Sequence, residues 1–173
     1  VSINDYLNKK YDDAVFCNIS TKEYVERNDS KDFSHQDFVS NPHEYRSKIK
    51  KYLFNTVILI ASHYWNPKSP KLFSLSEINE FKNLKIIGDI TCDINGSVPT
   101  TIRPSSIAKP YYYLDKNSYR EISLENKCIA VMAVDNLPSE LPHDSSKEFG
   151  NSILSEVLPY LIDKDDGRIN RAT

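Results

Sequence analysis

Four short apolar runs constrain this chain more than any other feature: "AVFCNI" (Ala14 to Ile19), "TVILIA" (Thr56 to Ala61), "KIIGDI" (Lys85 to Ile90) and "CIAVMAV" (Cys128 to Val134). They are continuous rather than alternating and rich in Val and Ile, which is how strands covered on both faces of a parallel sheet read. Helix signals fall around them. Asn41 as a cap, Pro42 at the first helical position and Glu44 in the first turn predict a helix from Asn41 to Leu53. Ser74 with Glu77, and Ser145 with Glu148, have capping-box spacing; the second box precedes an apolar stripe of Phe149, Ile153, Leu154, Val157, Leu158 and Leu161 that reads as core packing. Between the third and fourth runs, "KPYYYLDKNSYREISLENKC" has no helical period and predicts a hairpin or irregular excursion. The expected fold is α/β with an open parallel sheet, although an α+β domain could use the same elements.

With 173 residues and 39% hydrophobic content, the chain is expected to form one domain over residues 1–173. A net charge of -2 and a pI near 6.1 give no footprint for a polyanion, so nucleic acid is not an expected partner. The longest apolar run is far short of the roughly 20 residues of a membrane span, so no membrane is expected either. Cys17, Cys92 and Cys128 form no C-x-x-C pair; Cys17 and Cys128 read as buried thiols of a reducing, cytoplasmic protein. The four histidines share no metal-site spacing.

In open α/β sheets, ligands bind beyond the carboxyl ends of the strands. Ser62, His63, Tyr64 and Trp65 follow the second run. Asp89, Thr91, Cys92, Asp93, Asn95, Gly96 and Ser97 end the third, and Asp135, Asn136, Leu137 and Pro138 follow the fourth. Each is also an ordinary turn former, but together they converge on one crevice. Asp89 or Asp93 can orient a substrate amine, bind a ribose hydroxyl or steer a proton; either can equally cap backbone N–H groups of its own turn. His63 with Tyr64 and Trp65 reads as a nicotinamide or substrate wall, or as an aromatic cluster packed under a loop. No Ser/His/Asp order, Walker loop or G-x-G-x-x-G occurs.

The stretches "GDITCDINGSVPTTIRPSSIAKPYY" (Gly88 to Tyr112) and "VMAVDNLPSELPHDSSKEFG" (Val131 to Gly150) closely resemble the C-terminal part of the saccharopine dehydrogenase and lysine-ketoglutarate reductase family, relatives of alanine dehydrogenase and transhydrogenase. The resemblance extends back through "NPHEYRSKIKKYLFNTVILIASHYW" and more weakly to "YDDAVFCNIS". It implies a partial Rossmann (doubly wound) domain lacking its first strand and glycine-rich loop, with a C-terminal helix leading back to an N-terminal catalytic domain that is not in this chain. The implied cofactor is NAD or NADP, and the implied substrates are an amino acid and a 2-oxo acid. Lysine would be condensed reductively with 2-oxoglutarate, or the reverse reaction run. Asp93 matches the family's cleft aspartate. Ser62, His63, Tyr64, Asp89, Val134, Asp135, Asn136 and Leu137 would border the cofactor, while the family's catalytic Lys and His lie in the N-terminal domain. Another amino- or imino-acid dehydrogenase, alanine dehydrogenase-like included, and a non-catalytic half-Rossmann module remain open. A truncated sheet edge also makes a homo-oligomer an expectation.

Overall fold

In the computed structural model, residues 1–124 and 128–172 are described. The chain packs as two compact units, Val1–Asp135 and Asn136–Thr173. Within the first, α1 (Ile3–Asn8) and α2 (Thr21–Tyr24) lead into β1 (Val25–Arg27). Then come α3 (His35–Ser40), β2 (Tyr45–Ser47), α4 (Lys50–Leu53), β3 (Ile58–Ala61), β4 (Ile86–Asp89), the hairpin strands β5 (Tyr111–Asp115) and β6 (Glu121–Ile122), and β7 (Cys128–Met132).

The main sheet has five strands in the order β3-β4-β7-β5-β6. β3, β4 and β7 are mutually parallel, as the second, third and fourth apolar runs predict. The sheet as a whole is mixed, because β5 runs antiparallel to β7 and pairs with β6 as a hairpin. The all-parallel expectation is thus corrected. Among the described residues, the stretch without helical period has no crossover helix to reverse its direction, so it returns as a hairpin strand.

Register puts Leu59, Ile87, Val131 and Tyr112 on one row and continues it with Ala61, Asp89, Ile129 and Leu114 on the same face. This face is packed against Tyr52 and Leu53 of α4 and against Leu72, Phe73, Ile78, Phe81 and Leu84 of the β3–β4 connection. The alternate positions Ile58, Ile60, Ile86 and Tyr111 are exposed. Only one face is therefore covered within this unit, where continuous apolar runs predict cover on both. Lys116 ties the hairpin to the core: its buried Nζ donates to the carbonyls of Phe81 (2.9 Å) and Leu84 (2.7 Å), and burial lowers its pKa.

Three local expectations are corrected. The first run, Ala14 to Ile19, forms no strand, and Phe16 is 74% exposed; apolar character alone supplies no ladder partner. The stretch expected as a helix from Asn41 to Leu53 is a 3₁₀ turn at Pro42–Glu44, then β2, then α4. Pairing overrides the cap signals here: β2 lies antiparallel to β1 in a separate two-stranded sheet, with Arg46 opposite Glu26 and ion-paired to it at 2.7 Å. Cys17 and Cys128 are half-buried rather than buried. The Ser74–Glu77 capping box is formed as expected, on a single 3₁₀ turn at Leu75–Glu77.

In the second unit, α5 (Pro142–Ser152) passes through a π-helical turn at Ile153–Val157 into α6 (Leu158–Ile162), followed by α7 (Arg168–Ala172). Pro142 starts α5, so Ser145 lies inside the helix and donates its hydroxyl to the Pro138 carbonyl (2.9 Å) instead of capping. The π turn stands just before Pro159, whose missing N–H breaks the regular ladder. The stripe expected as core is on the surface, with Phe149, Leu154 and Leu161 exposed.

Replacing Ile87 by Ala, a fully buried β4 residue, is expected to cost about 2–5 kcal/mol. Ile60→Ala, on the exposed face, should cost about 0.5 kcal/mol or less. Urea denaturation separates the two, and equal losses would show the second face to be packed as tightly as the first.

Candidate functional site

The parallel strands β3 and β4 end side by side, joined past their last residues by the Ile90 N–H donating to the Ala61 carbonyl (2.8 Å). Beyond them lies an open concavity of about 380 Å³ lined by Ser62, His63, Tyr64, Trp65, Ile90, Thr91 and Asp93. That volume lies at the low end of the roughly 300–1,000 Å³ typical of small-molecule sites.

The two aspartates of the corner have separate tasks. Asp89 is fully buried, and both its oxygens are used: Oδ1 accepts from the Thr91 N–H (3.1 Å) and hydroxyl (2.7 Å), and Oδ2 accepts from the Thr101 hydroxyl (2.6 Å). It staples the corner, and its complete burial keeps it from a ligand. Asp93 is exposed, and no hydrogen bond or ion pair to its carboxylate is found among the described residues.

The loop between them is wound tightly. The Gly96 N–H donates to the Asp93 carbonyl (2.8 Å), and the Asn95 N–H to the Thr101 carbonyl (3.1 Å). A Cβ on Gly96 would sit 2.4 Å from the Asp93 Cβ, so only glycine fits there. Cys92 and Asn95 hold left-handed backbone angles, φ 51° and 56°, a strain that the surrounding hydrogen bonds sustain.

His63 is half-buried, with its ring edge-on to Tyr24 at 5.6 Å between centroids. Burial lowers its pKa, opposed by the negative charges of Asp89 and Asp93. Tyr64 is 90% exposed. The Trp65 indole N–H is buried and has no acceptor among the described residues. Cys92 donates its thiol to the Ala133 carbonyl (3.1 Å); burial raises its pKa, as do Asp135, Asp89 and Asp93, so it is held as a thiol rather than a nucleophilic thiolate.

The structure therefore gathers Ser62, His63, Tyr64 and Asp93 into one concavity and places Asp89 behind it. Val134, after β7, is buried and bridges to Ser105, while Asp135 is exposed. Asn136 and Leu137 open the second unit, where the Asn136 carbonyl accepts from the Ser139 N–H (3.1 Å) and hydroxyl (2.7 Å). Thr101, the most distant of the Asp89 partners, gave no signal in the sequence, because a threonine twelve positions downstream matches no local motif.

An open α/β sheet with polar and aromatic groups beyond adjacent parallel strand ends is the architecture of a nucleotide- or substrate-binding domain. Residues 16–172 match the family described as alanine dehydrogenase/PNT, C-terminal domain, and the chain belongs to that family, which is Rossmann-like and comprises NAD(P)-dependent oxidoreductases. Among curated proteins it is similar to alpha-aminoadipic semialdehyde synthase of Arabidopsis thaliana, at 32% identity over 93% of this chain and 16% of that protein. The mitochondrial proteins of the same name from Bos taurus and Rattus norvegicus are 26% and 25% identical over 73% of the chain. The chain spans about 16% of the length of each of these relatives.

The concavity fits the nicotinamide end of NAD(P). The orphaned Trp65 N–H can donate to a carboxamide oxygen, and the exposed Tyr64 ring offers a stacking face. The fit is to that end alone, since these residues include no glycine-rich loop for the diphosphate.

Thr101→Val leaves the Asp89 carboxylate short of a donor in the core and should cost about 1–3 kcal/mol. Asp93→Asn, at a carboxylate without partners, should change stability by about 0.5 kcal/mol or less; the reverse order of losses would exchange the two roles. Unfolded His63 takes its proton near pH 6.5, whereas the folded side chain takes it only at lower pH. Between those values the unfolded state binds more protons, so stability should fall as pH drops through about 6.5, and His63→Gln should flatten that limb in unfolding curves.

Proposed function

We propose that these residues form the nicotinamide-side half of the Rossmann domain in a saccharopine dehydrogenase-like oxidoreductase, one that condenses lysine reductively with 2-oxoglutarate or runs the reverse. The observation that carries this reading is the unpartnered Asp93 carboxylate in a concavity at the ends of β3 and β4, in a chain of this family. The 32% identity to a protein named alpha-aminoadipic semialdehyde synthase supports the choice of lysine chemistry over other amino acids.

When bound, NAD or NADP supplies the hydride chemistry. Trp65 and Tyr64, with Ser62, hold and orient the nicotinamide end, and His63 borders it on the substrate side. Asp93 faces the amine-bearing carbon of the substrate, where a fixed carboxylate stabilises positive charge on nitrogen as it grows towards the transition state. Asp89 does not touch the reactants; through Thr91 and Thr101 it fixes the loop that carries Asp93. Val134 and Asp135, after β7, are assigned to the cofactor side of the same reading, and Asn136 and Leu137 follow them in the chain.

The acid and base that move protons belong, in this proposal, to the N-terminal domain of the same enzyme, to which the C-terminal helix leads. By itself the 173-residue chain is then inactive or nearly so. Placement in the cytoplasm is part of the same reading.

The test uses the enzyme that contains this segment, following NADH and NADPH consumption with lysine plus 2-oxoglutarate and, separately, with pyruvate plus ammonia. Turnover with lysine is the expected result, and Asp93→Asn should lower it about a hundredfold with the thermal midpoint unchanged. Turnover with pyruvate and ammonia but none with lysine would move the assignment to an alanine dehydrogenase-like reaction. Near-normal activity of Asp93→Asn would reduce Asp93 to a turn former.

A further inference from the structure

The concavity at the ends of β3 and β4 contains an imidazole and a carboxylate, and among the described residues no lysine or arginine lines it. Among the described residues, neither the His63 ring nitrogens nor the Asp93 carboxylate makes a hydrogen bond. Tyr24 of α2 packs on His63 edge to face, a contact that engages ring edges and faces and no hydrogen bond. Behind the wall, the buried Asp89 acts on His63 together with Asp93, so the negative potential over the opening exceeds what Asp93 alone would give.

We propose that His63 and Asp93 form a two-acceptor clamp for a primary ammonium group, the neutral imidazole giving one lone pair and the carboxylate supplying the charge. An ammonium has three donors and no acceptor, which is the complement of this pair. A carboxylate ligand is the wrong partner, because Asp93 and Asp89 both repel it and the concavity provides no cation to offset them. The clamp thus selects the amine end of an amino-acid substrate and leaves its carboxylates to bind elsewhere. For the identity of that amine, the inference rests on the function proposed above.

The clamp is also sensitive to pH. Among the described residues, the charged groups facing His63 are Asp89 at the end of β4 and Asp93 in the loop after it, and α2 presents the Tyr24 ring to it. A protonated His63 loses its free lone pair, pairs with Asp93 and repels the incoming cation. Amine affinity therefore falls as pH falls through the His63 titration, and by linkage the bound amine lowers the pH at which His63 takes its proton.

The experiment uses the full chain, with n-butylammonium and acetate as probes and the histidine ring C–H proton signals as readout. His63→Gln identifies the His63 signals among the four histidines. n-Butylammonium should shift the His63 signals alone and lower their titration midpoint, and acetate should do neither. Below that midpoint the apparent dissociation constant should rise about tenfold per pH unit, as binding linked to loss of one proton requires. His63→Gln, followed through backbone amide signals of the Asp93 loop, should bind with little pH dependence, and Asp93→Asn should lose the response. His63→Asn is the second non-titrating variant should His63→Gln fail to fold.

His63 signals unmoved by the amine, moved equally by acetate, or a non-titrating variant with the wild-type pH dependence would each overturn the clamp. No cofactor or turnover enters the measurement. Amine binding in a chain whose parent enzyme transfers no hydride would therefore sink the dehydrogenase reading and leave the clamp standing, and the opposite pair of results would do the reverse.

Discussion

The buried carboxylate of Asp89 is the constraint on which the site depends. A carboxylate at the end of an interior strand is costly unless its oxygens are satisfied. Here Thr91 satisfies one oxygen from the adjacent turn, and Thr101 satisfies the other only after the chain has gone out through Asp93, Asn95 and Gly96 and come back. That return holds the loop closed and leaves Asp93 at its rim. Left-handed backbone at Cys92 and Asn95, and a glycine at position 96 that no other residue can replace without a clash, follow from the same tight path.

The site also needs two parallel strands that end level. The pairing of β3 with β4 brings Ala61 opposite Asp89, so the segments after them, Ser62 to Trp65 and Ile90 to Asp93, leave the sheet together and form the walls of one concavity. The packed face of the sheet holds this register, because a slip of one residue would turn Ile87, Ile129 and Val131 out of the core. Packing and site geometry are therefore coupled through β4, which carries Ile87 into the core and Asp89 into the corner two residues later.

Much of this was legible along the chain. The second, third and fourth apolar runs became β3, β4 and β7, parallel as read, and the capping box at Ser74 is formed. The polar residues concentrated after β3 and β4 in the sequence are those that line the concavity. What failed was the meaning of apolar residues whose partner is not encoded nearby: Ala14 to Ile19 has the composition of a strand and forms none, and the stripe from Phe149 to Leu161 has the spacing of a core helix and is largely exposed. The cap signals at Asn41 and Pro42 were outvoted by the pairing of Tyr45–Ser47 with Val25–Arg27, some twenty residues away.

The sequence by itself determined the class of fold, the polar turns after the parallel strands, and the family, because each is written in short local patterns: continuous Val/Ile runs, turn residues and two long motifs. The resemblance pointed to Asp93, but the tertiary structure alone decided how each aspartate is held. Asp89 and Asp93 are four positions apart in similar surroundings, and no local rule separates them. They differ because Thr101 reaches one from across the loop and nothing among the described residues reaches the other. The same holds for His63, whose edge contact comes from Tyr24 of α2, far away in sequence, and whose nearness to both aspartates follows from the pairing of β3 with β4.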